Sequence, residues 1–87
     1  MSLKFHRNKE VLGQTGFTKS TLQNRIKGGL WPPPFSLGGR AKAFLDSETQ
    51  AVMAAYVEGK SKSDIQALVS ELVANRKTVA EMSIGIQ

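Results

Sequence analysis

Within nine positions of this 87-residue chain stand Lys19, Ser20, Thr21, Gln23, Asn24 and Lys27. They form its densest set of side chains able to recognise a ligand by hydrogen bonds and charge. Carboxamides such as Asn24 and Gln23 can pair bidentately with adenine. Serine and threonine hydroxyls can hold phosphates or bases. Lys19 falls in the first turn of a predicted helix, where a positive charge opposes the helix dipole; a cation placed there points to an anion nearby. Arg40 and Lys42 form a second set, suited to phosphate or to the negative potential of a narrow minor groove. Catalytic chemistry has no comparable constellation. The single histidine, His6, reads as having no acid placed beside it. Asp46 and Glu48 suit a helix start better than a paired-carboxylate site. There is no phosphate loop and no dinucleotide fingerprint. The absence of cysteine removes disulfides and cysteine-based zinc sites. The chain therefore reads as a binding protein rather than an enzyme, with no cofactor, metal or small-molecule ligand expected.

The charge distribution points the same way. Residues 1–45 carry eight lysines and arginines against one acid, Glu10, a net +7, whereas residues 46–87 carry four against six acids, a net −2. Such an asymmetry suits a polyanion. Nucleic acid is favoured over an anionic membrane, because the basic half holds no long amphipathic helix with an aromatic face. No apolar run approaches the ~20 residues of a membrane span, and the N-terminus has no apolar signal core. A cytoplasmic, nucleoid-associated location is expected. A chain this short buries only ~60–65% of the surface it exposes when unfolded, so a large enclosed pocket is not expected.

The elements that must position these residues follow from local pattern. Residues 4–7 read as an extended lead-in, with Phe5 tucked under the core. Asn8 is a suitable N-cap for a short helix over 9–15 carrying Val11 and Leu12, which Gly16 ends. Thr18 caps a second helix, on which Leu22 and Ile26 share one face, until Gly28-Gly29 stops it. Two short helices joined by Thr15-Gly16-Phe17-Thr18 have the plan of a helix-turn-helix, with Phe17 as the apolar plug. On the second helix, Ser20, Asn24 and Lys27 point most nearly away from the buried side, with Thr21 and Gln23 flanking. Trp31-Pro32-Pro33-Pro34 cannot be helical, and Trp31 reads as core rather than as a stacking platform. Residues 35–37 and 43–45 read as two strands about Gly38-Gly39, a hairpin with a basic tip. Ser47 and Gln50 read as a capping box opening a helix that carries Val52, Ala55 and Tyr56 and ends near Gly59. Met53 and Met82 suggest packing only.

From residue 61 onward Ile65, Leu68, Val69, Leu72 and Val73 form an amphipathic stripe. It either closes the domain's own core or forms a dimer seam. A winged domain nearly complete by Gly59 tilts the expectation to the seam and a homodimer. Beyond Arg76 the periodicity fades, and a tail over 77–87 is expected.

Glu10-Val11-Leu12, Thr15 through Leu22, Ile26-Lys27-Gly28-Gly29 and Pro33 through Arg40 together resemble the AlpA family of prophage regulators, relatives of the excisionases and of MerR-type DNA-binding domains. The resemblance runs over about residues 4–58. Its most specific pieces are the threonine-glycine turn followed by Ser20-Thr21-Leu22, and the tip Leu37-Gly38-Gly39-Arg40. The chain departs from the family at Gln23, where relatives often carry tyrosine, and at Phe44, where they usually carry tryptophan. The resemblance implies a mainly α fold with a small β-hairpin wing, a winged helix-turn-helix over 4–59; the extra C-terminal helix over 60–76 lies beyond the family's common core and is read from the apolar stripe. It implies a sequence-specific DNA-binding regulator of a phage or mobile element, with double-stranded DNA as partner. Recognition is expected from the residues already singled out by type and helix face, Lys19, Ser20, Thr21, Gln23, Asn24 and Lys27, with Arg40 and Lys42 on the wing. His6 and Arg7 are further candidates for backbone contact. Two other readings stand beside it: an excisionase-like architectural protein assisting a recombinase, and a phage structural or adaptor protein working through the apolar stripe.

Overall fold

The computed structural model describes residues 3–84, and the surroundings of side chains as far as residue 80. Eight elements follow in order: β1 (Phe5–His6), α1 (Asn8–Thr15), α2 (Lys19–Lys27), β2 (Phe35–Gly38), β3 (Ala41–Leu45), α3 (Asp46–Val57), α4 (Lys62–Ala74) and α5 (Arg76–Ile84). The strands make one antiparallel sheet in the order β1-β3-β2. This is a winged helix-turn-helix with additional C-terminal helices.

The helix-turn-helix forms where local chemistry dictates. Gly16 ends α1 at φ 75°, and its N–H donates to the Leu12 carbonyl. That left-handed conformation is cheap for glycine alone. The Thr18 hydroxyl caps α2, accepting from the Thr21 N–H at 3.1 Å. Phe17 sits between, edge-on to the fully buried Trp31 with ring centroids 5.6 Å apart. The wing turns at Gly38 and Gly39, whose φ values are 111° and 55°. A bulge between Ser36 and Gly38 shifts its register.

One core holds the layers together. Val11 of α1, Leu22 of α2, Trp31, Phe44 of β3, Val52 and Ala55 of α3, and Ile65 and Val69 of α4 form a single buried cluster. The α4 stripe thus serves this chain's own core, correcting the tilt toward a dimer seam. Ile65 and Val69 are 3% and 5% exposed, and Leu68, Leu72 and Val73 pack half-buried on the same cluster. A domain ending at Gly59 would leave Val52 and Ala55 uncovered.

Four other expectations need correction. First, Phe5 is 44% exposed, meeting Phe35 edge-on at 5.2 Å. Strand alternation sends neighbouring side chains to opposite faces, and β1 turns His6 inward instead. Second, α1 begins at Asn8 with Arg7 as N-cap, because the Glu10 carboxylate accepts the Arg7 N–H at 2.8 Å and closes the first turn there. Third, the Ser47 capping box does not form. Strand β3 runs straight into α3, with Leu45 as N-cap and the Asp46 N–H donating to the Lys4 carbonyl at 2.8 Å. Fourth, most of the expected tail is helix, as far as Ile84. Residues 85–87 and the Met82 side chain lie outside the described residues.

The start of α5 is fixed by charge. Arg76 donates through Nε and Nη2 to the two carboxylate oxygens of Glu48, both at 2.8 Å, and through Nη2 to the Pro33 carbonyl at 2.6 Å. Glu48 is 2% exposed. This bidentate pair ties α5 to α3 and to the proline segment that leads into the wing.

Candidate nucleic-acid interface

Helix α2 presents two unlike faces. Leu22 is fully buried and Ile26 half-buried, while Lys19, Ser20, Gln23, Asn24 and Lys27 are exposed. Thr21 is half-buried, and its hydroxyl accepts from the Thr18 hydroxyl at 3.0 Å, so it is drawn into the helix cap. Arg25 stays out of the exposed set. Its Nη1 donates to the Tyr56 hydroxyl at 2.8 Å, and its guanidinium lies 4.8 Å from the Phe17 ring centre and 5.1 Å from that of Tyr56. The Tyr56 hydroxyl donates onward to the Leu30 carbonyl at 3.0 Å. One cation of the basic half therefore bolts α2 to α3.

Arg40 lies exposed in the wing turn, and Lys42 lies exposed on β3 opposite Ser36. An open groove of about 520 Å³ runs between α2, the wing and the start of α1. Arg7, Asn8, Lys9, Gln23, Arg40 and Lys42 line it, with Pro34 and Phe44. No acid is among them. The fold thus brings Gln23, Arg40 and Lys42 around one concavity, while Lys19, Ser20, Thr21, Asn24 and Lys27 lie outside its lining.

Sequence reasoning had not placed Lys9 in this group. The run Arg7-Asn8-Lys9 was visible as charge, but only packing of α1 beside β3 shows that it faces the wing. His6, a candidate for backbone contact, proves inaccessible at 4% exposure. Its Nε2 bonds Asp46 Oδ1 at 2.7 Å, and its Nδ1 lies 3.7 Å from Glu10 Oε2. The histidine does have acids beside it, one from the next turn of its own segment and one from forty residues on. The hydrogen bond from His6 holds the Asp46 carboxyl below its ordinary 3.8. The Arg7 N–H does the same for Glu10 from its ordinary 4.5. This network braces the entry to α1, and with it Arg7 and Lys9.

The family model described as Prophage CP4-57 regulatory protein (AlpA) matches residues 4–55. The chain belongs to the AlpA family. The match runs from β1 into α3 and takes in the helix-turn-helix and the wing, leaving α4 and α5 beyond it. AlpA is a prophage regulatory family, so a regulatory role of phage type follows. The chain is also similar to the uncharacterized protein ORF88 of Enterobacteria phage P4, at 39% identity over 59 residues, which span 68% of this chain and 67% of that protein. No solved structure matches it. Among the described residues no helix is long and apolar enough to cross a membrane.

Proposed function

We propose that this AlpA-family chain is a sequence-specific DNA-binding regulator, with α2 in the major groove and the β2–β3 wing on the backbone. The observation that carries the reading is the exposed face of α2 lying beside an acid-free groove whose cations come from separate elements. A B-DNA major groove admits one α-helix and displays a distinguishable hydrogen-bond pattern there. Asn24 and Gln23 are the side chains suited to base edges. Lys19, Lys27, Arg40 and Lys42 supply charge for phosphates, and Ser20 a neutral donor. Thr21, held in its cap, has the smallest part. A single module of this size binds weakly by itself, so adjacent copies along DNA are expected to supply affinity.

The test separates base reading from charge. Against a duplex obtained by selection, Asn24→Ala costs about 1–3 kcal/mol and relaxes preference at one base position. Lys27→Ala weakens binding about equally on all sequences and reduces the salt slope by about one. Loss of neither affinity nor preference in both variants contradicts the placement of α2. Tandem direct repeats in the selected duplexes would favour the excisionase-like role over a regulator acting at an inverted repeat.

A further inference from the structure

Four cations face the groove from two places far apart in sequence. Arg7 and Lys9 come from the entry to α1, and Arg40 and Lys42 from the wing. All four are exposed. Among the described residues, the contacts of basic with acidic side chains are those of His6 with Glu10 and Asp46 and of Arg76 with Glu48, so none of the four cations is paired. The acids at the entry to α1 are already engaged, Glu10 with the Arg7 N–H and His6, and Asp46 with His6. Four like charges around one concavity repel each other unless an anion lies between them.

We propose that this groove grips a single phosphodiester strand of the DNA, with the first turn of α1 as one jaw and the wing as the other. The proposal rests on the DNA-binding reading above and adds Arg7 and Lys9 to the binding surface. The groove is open to solvent and about 520 Å³ in volume, so a backbone phosphate can enter between the two jaws. Gln23, the α2 side chain at this groove, brings the base-reading helix to the same strand. The wing is then one half of a clamp, with Lys42 on its strand working as directly as Arg40 at its turn.

The experiment uses the whole chain and a selected duplex, intact or with single phosphates replaced by neutral methylphosphonates. The expected result has three parts. Arg7→Ala/Lys9→Ala lowers the slope of log affinity against log salt by ~1.8, at ~0.9 per contact, with base preference unchanged. Lys60→Ala/Lys62→Ala, which removes two exposed cations outside the groove's lining, leaves the slope less changed than Arg7→Ala/Lys9→Ala does. Wild type is weakened by methylphosphonates at one short run of phosphates on one strand, and both Arg7→Ala/Lys9→Ala and Arg40→Ala/Lys42→Ala lose sensitivity to that same run. Arg7→Lys/Lys9→Arg restores the slope. A wild-type slope in Arg7→Ala/Lys9→Ala overturns the proposal, as does mapping of the two pairs to different strands. Failure of wild type to bind any duplex defeats the DNA-binding reading instead, and leaves an acidic protein surface as the groove's occupant.

Discussion

Replacing Arg76 by alanine removes three hydrogen bonds and leaves Glu48 as a carboxylate enclosed by protein. The magnitude follows from the geometry. Both carboxylate oxygens are held at 2.8 Å by one guanidinium, which also holds the Pro33 carbonyl and lies over the Phe35 ring at 5.6 Å. The Glu48 side chain is 3% exposed and that of Arg76 24%. Breaking a buried pair by removing one partner costs about 3–5 kcal/mol. Partial exposure of Arg76 lets water reach the vacated site, so the lower end, about 3 kcal/mol, is expected. That is a large share of the roughly 4–13 kcal/mol available to a domain of this length. At ~4–8 °C per kcal/mol the melting temperature falls by at least ~12 °C. Glu48→Leu/Arg76→Met leaves no uncompensated charge and should cost less than Arg76→Ala alone. Urea unfolding followed by circular dichroism measures all three proteins. A loss below about 1 kcal/mol for Arg76→Ala, the worth of an exposed pair, would refute the claim that this contact anchors α5.

Further outcomes follow from the same structure. Gly16→Ala meets nothing within 4 Å, yet it holds an alanine at φ 75°, so thermal melts should show a loss of about 1–2 kcal/mol from backbone strain alone. Tyr56→Phe removes the hydroxyl that joins Arg25 to the Leu30 carbonyl and should cost about 1–3 kcal/mol; an unchanged unfolding midpoint would show that the bridge contributes nothing. The Asp46 carboxyl is lowered from 3.8 chiefly by its bond from His6. Its unfolded state therefore binds more protons as acid is added, and its contribution is present above about pH 4 and lost as pH falls through the lowered value. Wild type should exceed Asp46→Asn in stability at pH 7, and the gap should narrow as pH falls through the lowered value. A difference that stays constant over that range contradicts the assignment.

The local half of the fold was legible in the sequence, and the reason is range. Gly16, Thr18 and Gly38-Gly39 act on neighbours within four residues, and each turn or cap forms where its chemistry placed it. The stripe on α4 was visible as a periodicity, but periodicity does not say what covers it; its packing against Val52 and Ala55 of α3 in one buried cluster does. What the sequence hid depends on partners far along the chain. Strand β1 is two residues long and exists only through pairing with Phe44 and Leu45. Arg25 was one basic residue among eight until Tyr56 drew it inward. Glu48 looked like a dipole-friendly acid at a helix start, and its bond to Arg76 spans twenty-eight residues. At the site, the types and the exposed face of α2 could be read directly. The company of Arg7 and Lys9 with Arg40 and Lys42 could not, because α1 and the wing are brought together by partners far apart in sequence, in the core, in the β1–β3 pairing and in the His6–Asp46 bond.

The most direct test of the central claim is selection of duplexes from a random library by the whole chain at fixed physiological salt. Salt is fixed because non-specific affinity varies steeply with it. The account predicts an enriched sequence motif and an affinity that falls as salt rises. No enrichment together with a flat salt dependence would contradict it.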